Sequence, residues 1–303
     1  MSVRVLPQPL AEKARLELNE DPNRLKDDLQ HLKDWIAKQP HLRARTDDQW
    51  LVAFLRGCKY SLERTKEKLD LYYSVRTTAP ELFKIKHDDP MFDEILILIL
   101  PKTAGPDTPR VTIIRPGRYD PEKYRLMDVM SIMGAIMKIT LMDDDSTTVA
   151  GSVSIMDLVG VTTSHFLQLT PANMKKMSVI SQEATPMRMK ASHYLNAPGA
   201  FETIFNTMKS LLNEKNRNRL HVHGTLEALY KHIPKEILPA EYGGNGVILL
   251  LLAEYWRNKV KEYSSFLEED FQFGTDESKR PGKPRTAEDM FGAEGSFRKL
   301  EVD

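Results

Sequence analysis

Two histidines and a run of three aspartates are the side chains whose spacing could form a metal site. His221 and His223 are two residues apart, so in a strand both imidazoles would project from one face and could bind a divalent cation. No Asp, Cys or His stands at a spacing that would complete the coordination. The aspartates at 143–145 follow a helical stretch, where negative charge opposes the helix dipole. We therefore expect locally hydrogen-bonded histidines, a solvated acidic loop and no metal ion.

Candidate nucleophiles and glycine-rich loops are also incomplete. Ser164 and Ser192 each precede a histidine, but neither lies in the strand-turn-helix motif that exposes the nucleophilic serine of hydrolases. Cys58 is the single cysteine, and an isolated thiol is more typical of a small buried side chain. Residues 243–246 (GGNG) lack the Lys-Ser/Thr pair of a phosphate-binding loop and the spacing of a dinucleotide fingerprint. The sequence predicts neither a catalytic residue nor a cofactor, so we expect no enzymatic activity.

The composition limits the classes of partner. The 303 residues include 43 basic and 43 acidic side chains, so the formal net charge is zero. A neutral chain disfavours nucleic acid as a partner, and an anionic partner would have to be bound by a local cluster of cations. A single cysteine fits a reducing compartment, and no apolar run reaches the roughly 18 residues of a membrane span. We expect a cytoplasmic protein that associates with membranes peripherally.

The elements that must position a site follow two patterns. After an N-terminal extension (residues 1–21), residues 22–90 carry apolar side chains at three- and four-residue steps, which predicts a small helical domain. Residues 91–254 instead alternate short β-branched runs with helical stretches, which favours an α/β domain with a largely parallel sheet. Residues 255–303 are predicted to form a C-terminal helix and an extended tail.

Short motifs in a fixed order carry a resemblance to a known family. They stand at 54–60 (FLRGCKY), 164–171 (SHFLQLTP), 186–190 (PMRMK), 193–198 (HYLNAP) and 237–244 (ILPAEYGG). The last motif is the most specific of them. With these motifs, residues 46–254 resemble the CRAL-TRIO lipid-binding family, and within it the group that carries tocopherols and retinoids. The ending at 295–300 (GSFRKL) is similar to that of arthropod members.

The resemblance implies an α/β fold with an apolar pocket. A helical N-terminal CRAL-TRIO-N domain would precede a CRAL-TRIO domain, in which a twisted, largely parallel sheet forms the pocket floor beneath a helical lid. Methionines are frequent in the segments that should form the wall, and their flexible side chains suit adaptable apolar sites. A methionine stripe at helical spacing is otherwise ordinary core. With the resemblance, the predicted pocket residues are Met130, Met133, Ile136, Met137, Ile155, Phe166, Val179, Ile180, Met187 and Met189.

The predicted lid is the helical stretch at 201–212. Its apolar side chains would be exposed when the lid opens and could then insert shallowly among the acyl chains of a membrane. They are Phe201, Ile204, Phe205 and Met208.

A set of cations suggests a second binding surface. Arg188 and Lys190 alternate with apolar side chains in a predicted strand, which would point both cations away from the pocket. Lys215 and Arg219 are four residues apart and would share a helical face. The resemblance implies that these four residues bind phosphoinositide head groups, as the matching positions do in the tocopherol carrier of the family. Cys58 stands where that carrier has a further arginine, and a generic solvated cationic surface is the alternative.

The function implied by the resemblance is lipid transfer. A monomer would hold one tocopherol-, retinoid- or carotenoid-like lipophile and exchange it at phosphoinositide-containing membranes. A phospholipid such as phosphatidylinositol is an alternative cargo, and it would need a polar head-group site beside the pocket. A second alternative is an adaptor that uses the same fold without exchanging lipid. The sequence does not distinguish these functions, because pocket volume and polarity depend on side-chain and backbone positions.

Overall fold

The fold begins with helices, in a computed structural model that describes residues 3–94, 97–199, 201–210 and 212–292. The first elements are α1 (Gln8–Lys13), a π turn (Ala14–Leu18), α2 (Leu25–Ala37), β1 (Leu42–Arg43), α3 (Asp48–Gly57) and α4 (Leu62–Thr78). In α2 the regularly spaced Leu29, Leu32 and Ile36 are buried, as expected of an amphipathic helix. Pro40 follows α2 and Pro80 follows α4, because proline disfavours helical backbone in the residue before it.

Five strands form the central sheet. They are β2 (Ile97–Ile99), β3 (Arg110–Ile114), β4 (Ser152–Asp157), β5 (Met189–Leu195) and β6 (Leu220–Val222), which lie side by side in this order. β2 and β3 are antiparallel, whereas every pair from β3 to β6 is parallel. Parallel neighbours require crossover connections, so helices alternate with these strands along the chain. The predicted α/β class with a largely parallel sheet is confirmed.

Helices occupy the connections between the strands and the region beyond the sheet. They are α5 (Leu126–Asp143), α6 (Asp145–Val149), α7 (Thr163–Leu167), α8 (Pro171–Ser178), α9 (Phe201–Ser210), α10 (Glu214–Arg217), α11 (Leu226–Tyr230), α12 (Leu249–Glu262), α13 (Ser264–Glu269) and α14 (Ala287–Phe291). The Trp256 indole of α12 donates a hydrogen bond to the Ile99 carbonyl at 3.1 Å, which fixes α12 against the sheet. None of the helices in the described ranges is long and apolar enough to cross a bilayer.

One hydrophobic core joins the two regions that the sequence predicts as separate domains. It packs side chains of α3 and α4 against α5, including Trp50, Phe54, Tyr72, Met127 and Leu141. The helices before the sheet therefore support the same α5 that packs against the sheet through Val129, Ile132 and Ile139.

The acidic run at 143–145 is not the solvated loop that the sequence predicts. Arg110 donates to the Asp144 carboxylate at 2.8 Å, and the same carboxylate accepts the Ser146 amide at the start of α6. The fully buried Arg56 donates to Asp145 at 2.9 Å. These two carboxylates are structural partners of the buried Arg56 and the partly buried Arg110, which connect the start of α6 to α3 and to β3.

The C-terminal region folds back onto the first helices. β7 (Gly274–Thr275) pairs antiparallel with β1, and Arg280 donates to both oxygens of Asp70 at 2.9 Å. Up to Phe291, which is buried, this region is therefore attached to the rest of the fold at several points and is not a free extended tail. The predicted boundary between residues 254 and 255 falls inside α12. The motif at 295–300 lies outside the described residues.

Candidate functional site

A cavity of about 1090 Å³ lies between α5 and one face of the sheet. Strand register determines which side chains reach it. Ile99, Thr112 and Ser154 stand opposite one another on β2, β3 and β4, and all three line the cavity. Successive residues of a strand point to opposite faces, so Leu98, Ile113 and Ile155 point away from the cavity. The volume suits a small organic ligand.

The wall opposite the sheet is mostly apolar. Met130, Met133 and Met137 recur at three- and four-residue steps of α5, so they project from one side of that helix. Seven of the ten predicted pocket residues line the cavity, namely Met130, Met133, Ile136, Met137, Ile180, Met187 and Met189.

Three predicted pocket residues lie elsewhere. Ile155 pairs in register with Ile113, so it points to the opposite face of the sheet and is fully buried there. Phe166 of α7 packs against a small cluster that contains Leu158 and Tyr194. Val179 begins a π turn (Val179–Ala184) and is buried in the core shared with the first helices. Consecutive residues of a helical turn point in different directions, so Ile180 can reach the cavity while Val179 packs into the core.

The predicted lid helix, α9, divides its side chains between two environments. Ile204 lines the cavity. Phe201 and Phe205 do not; they are buried against Tyr194 of β5, with ring centroids 5.3 and 5.2 Å from the tyrosine ring. The side chain of Met208 lies outside those that the structure describes. The two phenylalanines therefore attach α9 to the sheet beside the cavity.

All four predicted head-group cations border the cavity, namely Arg188, Lys190, Lys215 and Arg219. The prediction that Arg188 and Lys190 face away from it is wrong. Ser152 pairs with Met189 but Val153 pairs with Ala191, so Lys190 is an extra residue in the strand. Such a β-bulge interrupts the alternation of faces. Burial, followed by the neighbouring charge of Arg188, lowers the pKa of Lys190.

Two glycines allow the backbone to approach closely on either side of Arg188. Gly57 ends α3, and a Cβ there would lie 2.4 Å from the Pro186 carbonyl oxygen. Gly151 has a φ of +94°, and its Cβ would lie 2.4 Å from the Arg188 carbonyl oxygen. The glycine of the FLRGCKY motif thus holds the end of α3 against the segment that carries Met187 and Arg188.

The first helices contribute further cations that sequence reasoning missed. Lys59, Arg64 and Lys68 border the same cavity, and together with the four predicted cations we call them the basic rim. Arg64 and Lys68 are four residues apart in α4, and this spacing could have indicated that the two cations share one face of the helix. Lys68 donates to the Thr185 carbonyl at 3.1 Å. Cys58 lies beside Lys59, and burial raises the pKa of its thiol.

One acidic side chain is paired with the basic rim. The Glu17 carboxylate lies 3.3 Å from the Arg188 guanidinium, 3.5 Å from the Lys190 ammonium and 3.1 Å from that of Lys13. Burial raises the pKa of Glu17, but its partners outweigh this effect and lower the pKa to about 2. The carboxylate is therefore ionised at neutral pH. Lys215, by contrast, has no ion-pair partner among the described residues.

Four histidines cluster on the face of the sheet away from the cavity. His193 Nδ1 and His223 Nε2 are 2.8 Å apart, and the rings of His221 and His232 each lie 5.1 Å from that of His193. Burial, together with the neighbouring imidazoles, lowers the pKa of His193 to about 4. Within the described residues, no group of His, Cys, Asp and Glu side chains is arranged to hold a metal ion.

Two known families match successive parts of the chain. Residues 21–95 match the family described as "Pinta-like, UBA domain", and residues 96–244 match "CRAL/TRIO domain". The second match contains all five strands of the sheet together with α5 and α9.

Individual proteins are also similar over most of the chain. The Homo sapiens protein "Alpha-tocopherol transfer protein-like" is 36% identical over 245 residues, which are 79% of this chain and 71% of that protein. "Clavesin-2" from Rattus norvegicus is 30% identical over 239 residues, 77% of this chain and 73% of that protein. The solved structure "Crystal structure of Sfh5" covers 80% of this chain and 89% of its own, with 12% identity and a TM-score of 0.46.

Proposed function

The chain belongs to the CRAL-TRIO family of lipid-binding and lipid-transfer proteins, and from this premise we propose that it carries one small lipophile. The cargo would be tocopherol-, retinoid- or carotenoid-like, held in the cavity between α5 and the sheet. Exchange would take place at membranes that contain phosphoinositides. The observation that carries the proposal is an apolar cavity of about 1090 Å³ bordered on one side by the basic rim.

The chemistry of the wall supports a lipophilic cargo. Thioether side chains are polarizable and rotate freely, so the methionines of α5 can adapt to an irregular apolar molecule. Burying apolar surface contributes about 25 cal/mol per Å², so a fully enclosed small lipophile could be bound tightly by this term alone. We propose a binding role and assign no catalytic residue.

The basic rim supports contact with an anionic membrane surface. Each cation close to such a surface is worth about 1 kcal/mol, so several can hold a neutral protein at the lipid head groups. In the proposed exchange a phosphoinositide head group takes the place of Glu17 as the partner of Arg188 and Lys190. Lys215 is already exposed and available to the same head group.

Opening of α9 would connect the cavity with the membrane. Phe201 and Phe205 would separate from Tyr194, and their exposed rings could then insert among acyl chains. The membrane would compensate part of the cost of exposing these side chains to water.

A phospholipid cargo is a second candidate, and one observation favours it. Arg188, Lys190, Lys215 and Arg219 border the cavity itself, so an anionic head group at the rim could extend its acyl chains into the apolar space.

Mass spectrometry of organic extracts of the purified protein tests these proposals. An isoprenoid-like lipophile at one molecule per protein would support the first, and a stoichiometric phosphatidylinositol would support the second. If no lipid is extracted and the protein moves no fluorescent tocopherol or phospholipid between vesicles, both are wrong and an adaptor role remains.

A further inference from the structure

A band of hydroxyl groups crosses the floor of the cavity. Thr112, Ser154 and Ser192 stand directly opposite one another on β3, β4 and β5, and all three line the cavity. On the edge strand β2, the residues that line the cavity are aliphatic, namely Ile97 and Ile99. The floor is therefore apolar at one end and polar across three adjacent strands.

The hydroxyls of this band differ in whether they already have a hydrogen-bond partner within the protein. Ser154 donates to Ser192 at 2.7 Å, so these two hydroxyls already share one hydrogen bond. The hydroxyl of Thr112 has no hydrogen-bond partner among the residues that the structure describes. Thr140 also lines the cavity, but it donates to the Ile136 carbonyl of its own helix at 2.8 Å. Thr112 thus keeps a donor and an acceptor for a ligand, and the Ser154 oxygen keeps an acceptor.

We propose that this hydroxyl band binds a hydroxyl group of the cargo, so that the preferred lipophile is an alcohol or a phenol and not a hydrocarbon or an ether. The inference rests on the proposed carrier function and deepens it. A purely apolar cargo that filled the cavity would remove water from Thr112 and leave its hydroxyl unpaired, which is unfavourable. A cargo hydroxyl could donate to Ser154 and accept from Thr112. Sites that hydrogen-bond a ligand hydroxyl discriminate strongly against analogues without it.

Matched lipid pairs test this preference. The full chain is titrated with α-tocopherol and its methyl ether, and with retinol and its methyl ether, and binding is followed by the intrinsic fluorescence of each lipid. We expect each hydroxyl form to bind about tenfold more tightly than its ether. Thr112→Val keeps the shape of the side chain and should weaken binding of the hydroxyl form about tenfold while leaving the ether nearly unchanged. Ser154→Ala should act in the same direction.

Thr140→Val is the matched control, because it removes a cavity hydroxyl that already has a partner. It should leave the preference for the hydroxyl form intact. Equal binding of both members of a pair by the parent, or an unchanged preference in Thr112→Val, would overturn the inference. Binding of neither member of either pair is a distinct outcome, because it contradicts the proposed carrier function and removes the inference with it. Circular dichroism melts confirm that each variant is folded.

Discussion

Replacing Glu17 with glutamine should strengthen binding to phosphoinositide-containing vesicles. Glu17 lies 3.3 Å from Arg188 and 3.5 Å from Lys190, and its side chain is 39% exposed. Partly exposed ion pairs of this kind are worth about 0.5 kcal/mol each, so release of two cations makes about 1 kcal/mol available to a head group. That energy corresponds to about fivefold in affinity. The pKa of about 2 means that the carboxylate competes at every pH used in the assay.

Sedimentation with vesicles that contain or lack phosphatidylinositol bisphosphate measures the effect. Glu12→Gln is the matched control, because Glu12 lies in the same segment, is exposed and pairs only with Arg15 among the described residues, at 2.7 Å. Both variants change the net charge equally. The reasoning is refuted if the two variants bind alike, since the gain would then come from overall charge. The difference should also shrink as salt rises, because screening acts over about 10 Å at moderate ionic strength.

Three further predictions concern the rim, the cavity and the histidines. Lys215→Glu should weaken vesicle binding about tenfold, whereas Arg217→Glu, on the same short helix but outside the cavity lining, should change it much less. Met133→Asp should abolish lipophile binding measured by fluorescence, since an unpaired carboxylate in an apolar cavity costs several kcal/mol, and retained binding would remove α5 from the site. Because the pKa of His193 is lowered from 6.5 to about 4, the unfolded chain binds more protons between these values, so stability is lost as pH falls through this window. Denaturant unfolding should show a loss of about 2 kcal/mol between about pH 7 and about pH 5, and His193→Gln should reduce this dependence.

The sequence predicts the elements well where a long periodic pattern exists. The methionine stripe at helical spacing lies on α5 (Leu126–Asp143) and lines the cavity. Faces of short strands are harder to predict, because one extra residue reverses every later side chain. Strict alternation from Met187 would put Met189 and Ala191 on the same face of β5, but the bulge at Lys190 puts them on opposite faces. Nothing in the local residue types marks that bulge, since it depends on pairing with β4.

The composition of the basic rim could be predicted only in part. Arg188 and Lys215 come from motifs that the family resemblance covers, whereas Arg64 and Lys68 come from a helix more than a hundred residues earlier in the chain. Glu17 precedes every motif used for the resemblance. These contacts are set by the packing of distant segments, which residue spacing does not encode.

Strand β5 links the parts of the proposed carrier mechanically. Its bulged residue Lys190 borders the cavity with the rim, Ser192 belongs to the hydroxyl band, and Tyr194 holds the phenylalanines of α9. Ser192 and Tyr194 are two residues apart in β5, so their side chains point to the same face of the sheet, and both residues line the cavity. We therefore expect a cargo hydroxyl bound at the band to stabilise the strand against which α9 packs. Head-group binding at Lys190 would act on the same strand from the rim, so the proposed carrier would couple cargo retention to membrane contact through β5.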